Sequence, residues 1–112
     1  MVKVTAYVRP HRLEDVKTAV SNLDISGLTV TDVRGCGSSP EAPSTFAGQE
    51  MLVALPMRSK IEVVVPDKLQ EAVINAVIET ARTGEPGDGK LFVEPVLDAI
   101  RIRTEEQGDS VV

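Results

Sequence analysis

From Val2 to Val8 the apolar positions Val4, Ala6 and Val8 alternate with Lys3 and Thr5, a period of two that predicts a strand. Pro10 ends it, since proline cannot donate to a ladder. From Arg12 the spacing lengthens: Leu13, Val16, Ala19, Val20 and Leu23 share a helical face, with Glu14, Asp15 and Lys17 off it. After Gly27, Leu28 to Val33 alternates again as a second strand, closed by Gly35-Cys-Gly37. The next clear strand is Lys60 to Val65, preceded by the short apolar stretch Met51 to Leu55. Pro66-Asp67 opens a second helix whose stripe is Leu69, Ala72, Val73, Ala76 and Val77, and which ends near Arg82. Leu91 to Val96 reads as a fourth strand and Ala99 to Arg103 as a last extended piece, with Ile100 and Ile102 expected to face the core.

The order is strand, helix, strand, long loop, strand, helix, strand. That is the ferredoxin-like split pattern: an α+β, βαββαβ sandwich, with an antiparallel sheet carrying both helices on one face and a single domain over residues 1–112. The fold by itself names no function. Two connections interrupt the periodic pattern. Ser38 to Thr45 is a run of turn formers inside a loop spanning about residues 37–57, and connections of that length are either functional or plain flexible linkers. Thr83 to Gly89 forms a tight loop, and the acidic tail 104–112 is expected to be mobile.

Composition narrows the picture. The aromatics of this 112-residue chain are Tyr7, Phe46 and Phe92, with no tryptophan, so the core must be aliphatic. A domain this small buries only about 60–68% of its unfolded surface and gains from oligomerisation. The net charge of −5 argues against a nucleic-acid binder, which needs a basic face, but leaves room for one local basic cluster. Cys36 is the only cysteine and His11 the only histidine, so an intrachain disulfide, a zinc cage and a catalytic triad are all ruled out, and no metal site is expected. Cys36 reads as a passive small side chain and His11 as a surface residue at a helix start. No segment approaches the roughly 20 apolar residues of a membrane span, so a cytoplasmic protein is expected.

Two clusters could carry chemistry. In Gly87-Asp88-Gly89-Lys90, glycines let backbone N–H groups approach an anion and the lysine adds a point charge. The glycines follow a helix instead of opening one, so this is no Walker motif, and an ordinary turn is the competing reading. In Arg101-Ile-Arg103, period-two geometry places two guanidiniums on one strand face about 6.6 Å apart, a separation suited to a di- or triphosphate. The bland alternative is a solvated edge face paired to acids.

These residues resemble a known family. Thr83-Gly-Glu-Pro-Gly-Asp-Gly-Lys90, then Phe92-Val and Ala99-Ile-Arg-Ile-Arg-Thr104, look like the nucleotide-binding signature of the nitrogen-regulatory P-II signalling proteins. The likeness extends to Leu28 to Gly37 and to Lys60 to Val65, leaving out roughly residues 38–57. It implies a homotrimer with ATP or ADP, and AMP as a further candidate, in clefts between subunits. By that resemblance Gly87, Asp88, Gly89 and Lys90 hold the phosphates, and Arg101 and Arg103 reach across from the neighbouring subunit. Gly35, Gly37 and Ser38 line the other side, while Tyr7, Thr29, Glu62 and Val64 fall where adenine and ribose are held. It further implies a regulator, not an enzyme, whose long loop docks on a target transporter or metabolic enzyme, so that contact with a membrane is only indirect.

The loop departs from the family pattern. Ser38 and Ser39 stand where Arg and Gln are usual, and that Gln helps ligate the Mg²⁺ that can accompany ATP and recruit 2-oxoglutarate. Arg58 replaces a lysine that pairs with the keto acid, which leaves Ser39 and Arg58 as candidate effector-binding residues. Met51 occupies the position of a uridylylated tyrosine and Gln49 that of a phosphorylated serine, so neither modification is expected there. These departures weigh against 2-oxoglutarate and keep an alternative open: an inorganic-carbon-linked sensor responding to ADP, AMP or cyclic AMP and to bicarbonate. A slow ATPase is the remaining alternative, with Asp88 and Glu62 as its nearest carboxylates.

Overall fold

The computed structural model describes residues 1–37 and 55–112. Its strands are β1 (Val2–Val8), β2 (Thr29–Arg34), β3 (Met57–Val65) and β4 (Lys90–Pro95), and its helices are α1 (Leu13–Ser21) and α2 (Gln70–Ala81). The strands form one antiparallel sheet in the order β2-β3-β1-β4, the ferredoxin-like arrangement. β1 is therefore central, paired with β3 through Val4–Val63 and with β4 through Val4–Val93.

The period-two pattern sorts the sheet into two faces. Val4, Ala6 and Val8 of β1 and Ile61, Val63 and Val65 of β3 are buried beneath the helices. Val16 and Val20 of α1 and Val73, Val77 and Ala81 of α2 close the same core from above. Both helical stripes read from the sequence are thus the buried faces. Glu14 and Asp15 stand in the first turn of α1, where they complement the helix dipole, and Lys17 pairs with Glu14 at 2.9 Å. Pro66 holds an extended conformation before a 3-10 turn, Asp67–Leu69, which feeds α2.

Because the core is aliphatic and close-packed, small deletions should register. Ile61→Val, at a side chain only 2% exposed, is expected to lower the unfolding free energy by roughly 0.5–1.5 kcal/mol. Urea denaturation checks this, and an unchanged midpoint would mean that the site had collapsed around the lost methyl.

Among the described residues no helix covers the opposite face of the sheet, which is largely polar. It carries Lys3, Thr5 and Tyr7 of β1, Lys60, Glu62 and Val64 of β3, and Lys90, Phe92 and Glu94 of β4. Glu62 sits between Lys3 and Lys60, 3.5 Å from each, and Lys3 also lies 3.8 Å from Glu94. Tyr7 and Phe92 meet edge to face with ring centroids 6.1 Å apart.

Beyond β4 the structure departs from the sequence reading. Ala99 to Arg103 is no strand: Ile100 makes a single bridge to Gln107, and the chain turns between them through Glu105 at φ +62°. Ile102 is 96% exposed and Ile100 59% exposed, so neither reaches the core. After Pro95 the chain gives Val96 N–H to the Met1 carbonyl at 3.1 Å and then pairs with itself between Ile100 and Gln107, so the segment adds no strand to the sheet. The tail is not featureless either, since Gly108 N–H donates to Ala99 O at 3.0 Å and a 3-10 turn spans Asp109–Val111.

Candidate functional site

Three segments meet at one end of the sheet. α2 ends at Ala81, where Arg82 is already extended, and the chain must reverse within eight residues to start β4 at Lys90 beside Tyr7. Glycine makes the reversal feasible: Gly84, Gly87 and Gly89 all have positive φ. The close approach is at Gly89, where a Cβ would lie 1.8 Å from the Tyr7 carbonyl oxygen. The turn is thus seated directly on the backbone of β1.

Asp88 organises the turn from inside. Its carboxylate accepts from the backbone N–H of Thr83 at 2.8 Å and of Gly84 at 2.9 Å, and from the Thr83 hydroxyl. Arg9, the residue following β1, adds its Nε–H at 3.4 Å and donates from Nη2 to the Pro86 carbonyl at 2.6 Å. These donors, the Thr83 hydroxyl first, hold the Asp88 carboxyl far below the usual carboxylate range, against a smaller opposing effect of burial. A depressed carboxylate contributes its stabilisation above its unfolded pKa and loses it only as pH falls through the lower folded value. Asp88 therefore stays ionised, and keeps its bonds to the turn, throughout the neutral and mildly acid range.

Across from this turn stand the two stems of the long loop. Beyond the last β2–β3 pair, Arg34–Met57, the Gly35 N–H donates to Pro56 O at 3.1 Å, so the two stems continue side by side there. Between stems and turn lies an open cleft of about 720 Å³. Gly35, Cys36 and Gly37 line one wall, Gly87 to Lys90 the other, and Tyr7 and Phe92 the floor; Arg34, Arg58 and Glu85 also reach it. Lys90 has no ion-pair partner among the described residues, so its ammonium is available to an anion. With Arg34 and Arg58 it makes the cleft locally basic in an acidic chain.

The structure thus brings Gly35, Gly37, Gly87, Asp88, Gly89, Lys90, Tyr7 and Arg58 to one cavity. Thr29, Glu62 and Val64 share the helix-free face with Tyr7 but do not line that cavity. Arg101 and Arg103 do not line it either. Arg101 turns to Glu106, its Nη1 2.8 Å from the carboxylate, which the Thr104 hydroxyl and the Arg101 charge hold below its ordinary pKa. Ser38, Ser39, Gln49, Met51 and most of the loop 37–57 lie outside the described residues.

A sequence model of the family described as "Nitrogen regulatory protein P-II" matches residues 1–106. The chain belongs to the P-II family. A nitrogen regulatory protein P-II of Haemophilus influenzae is 45% identical over 112 residues, covering all of both chains. Nitrogen regulatory protein P-II 1 of Escherichia coli K12 is 40% identical and the P-II protein of Nostoc punctiforme 43%, again over both full lengths. In this P-II chain the turn's geometry accounts for two of its residues: Gly89 for contact with β1 and Asp88 for internal bonding.

Sequence reasoning left Arg34, Glu85 and Phe92 of the lining unassigned, and with them Arg9 and Thr83, which hold the turn. Thr83 had a local signal, a hydroxyl residue opening a glycine turn with an aspartate five residues on. Arg9 had none, since its partners lie 77 and 79 residues away. Among the described residues no group of histidine, cysteine and carboxylate side chains could hold a metal, and no helix is long and apolar enough to cross a membrane.

Proposed function

We propose that this P-II protein is an adenine-nucleotide-sensing regulator. It binds ATP and ADP competitively in the cleft, as a homotrimer, and controls a transporter or metabolic enzyme through the loop 37–57. One observation carries the reading: a prefolded glycine turn and the available Lys90 ammonium face the root of that loop across a single cavity. Phosphate on the turn would lie where it can contact residues 35–37, so bound nucleotide can favour one state of the loop over another, which is the requirement for a ligand-driven switch.

Arg101 and Arg103 fit this scheme as groups supplied to a neighbouring subunit's cleft, since they stand away from their own. The two carboxylates considered for ATP hydrolysis are engaged elsewhere: Asp88 accepts from the turn's own donors, and Glu62 is held between two lysines away from the cavity. Neither is placed to orient a water. The nitrogen names of the relatives favour that pathway over inorganic carbon.

Isothermal titration calorimetry with ATP, ADP and AMP tests the reading, in the presence of Mg²⁺ and with or without 2-oxoglutarate or bicarbonate. Saturable ATP and ADP binding is expected, weakened about tenfold in Lys90→Ala by loss of one charge-assisted contact. Tightening by 2-oxoglutarate would show that the loop substitutions are tolerated, whereas an effect of bicarbonate alone would move the assignment to carbon. Absence of any nucleotide binding would overturn the proposal.

A further inference from the structure

Besides the Lys90–Tyr7 pairing that begins β4, the turn 83–90 is held on β1 at two places, and neither needs a ligand. One is the backbone contact of Gly89 on Tyr7. The other is Arg9, and its chemistry differs from that of every other group around Asp88. Thr83 N–H, the Thr83 hydroxyl and Gly84 N–H all belong to the turn, so they curl it without fixing its orientation. Arg9 is anchored to β1. Its guanidinium reaches both a side chain and a main-chain oxygen of the turn, Asp88 Oδ1 and Pro86 O.

Local sequence fixes where that guanidinium starts. Arg9 precedes Pro10, which disfavours helical backbone at the residue before it, and Arg9 is accordingly extended at φ −65°, ψ 138°. The side chain leaves from the end of the central strand, beside the Tyr7–Lys90 pair, and stays largely covered at 17% exposure. A planar, multi-donor cation can hold two acceptors at once, which an ammonium does poorly.

We propose that Arg9 is a positioning residue for the anion site: it fixes the 83–90 turn on β1 so that the turn is set toward the cleft before any nucleotide arrives. It touches no ligand itself. Its effect on affinity comes from removing the ordering cost that a loose turn would charge against binding. For its ligand the proposal rests on the nucleotide reading above, while its structural content is testable without one.

The test uses Arg9→Met, which keeps the stem and removes the donors, and Arg9→Lys, which restores the charge and part of the hydrogen bonding. Amide hydrogen exchange over residues 83–90 is measured in ligand-free protein, ATP affinity by calorimetry, and the melting temperature as a fold control. In Arg9→Met, exchange in the turn is expected to quicken while exchange in β3 stays slow, and ATP affinity to fall roughly tenfold, the equivalent of one charge-assisted hydrogen bond. Arg9→Lys should recover part of both. Exchange in the turn equal to wild type, or a loosened turn with wild-type ATP affinity, overturns the proposal. Should Arg9→Met fail to fold, the same two readouts on Arg9→Lys decide it, with wild-type values in both counting against. If the wild-type protein binds no nucleotide, the functional reading fails, and the ligand-free exchange comparison still decides whether Arg9 fixes the turn.

Discussion

Gly89→Ala is expected to unseat the phosphate turn and to cost about a hundredfold or more in ATP affinity. The added Cβ would fall 1.8 Å from the Tyr7 oxygen, 2.9 Å from its carbonyl carbon and 3.5 Å from Val8 Cα. All three are backbone atoms, so no rotamer change relieves the clash. β1 cannot yield, because it is hydrogen-bonded to β3 on one side and β4 on the other. The turn must move instead, and it takes the start of β4, including Lys90, with it. The backbone at φ +112° adds strain of its own, about 1–3 kcal/mol for a non-glycine residue. A melting temperature lowered by roughly 5–15 °C should accompany the loss of binding. Gly84→Ala is the control: its φ of +94° brings strain, but nothing lies within 4 Å of the new methyl, so a milder effect is expected. Scanning calorimetry and ATP titration of the two variants check the contrast. Equal behaviour would mean that contact with β1 does not set the turn.

How far the sequence reveals this molecule depends on the range of each interaction. Alternation in β1 and the stripes of α1 and α2 are local signals, and Val4, Val16, Val20, Val73 and Val77 are buried where the periods place them. β3 begins at Met57, three residues before the clear apolar alternation, because Met57 and Arg58 are held by pairing with Arg34 and Val33, which a local pattern cannot register. Ile100 and Ile102 mark a sharper limit. Alternation tells that two side chains share a face, but not whether this chain or another body covers that face. At the site, the glycines and Lys90 were readable because their chemistry is local to the turn. Asp88 was readable as part of the motif, but its side chain serves the turn itself and leaves its backbone N–H as the group suited to an anion. The contact from Arg9 is a tertiary fact and has no sequence signature.

The segment after β4 leads to the second large prediction. Leu97 is 101% exposed and Ile102 96%, with Ile100 at 59% between them. Three large aliphatic side chains within six residues, beside and on a hairpin-like turn closed by Ile100–Gln107 and by Arg101 N–H to Glu106 O at 2.9 Å, are an unfavourable surface for an isolated chain. Burying each against a neighbour contributes about 1.5–3 kcal/mol, enough in sum to hold an assembly together when repeated around a ring. The double variant Leu97→Asp/Ile102→Asp is therefore expected to run near the 12.0 kDa chain mass in light scattering, whereas the proposed trimer would run at three times that value. If Arg101 and Arg103 serve a neighbour's cleft as proposed, ATP affinity should collapse in parallel, since both travel on the same segment. The far-ultraviolet spectrum should persist, because neither side chain contributes to the core built on Ile61, Val16 and Val73. A variant that remains trimeric and binds ATP normally would place the subunit contacts elsewhere and return the two arginines to solvent. A dissociated variant with intact ATP affinity would instead confine the nucleotide site to one chain, built from Lys90, the glycine turn and the loop stems alone.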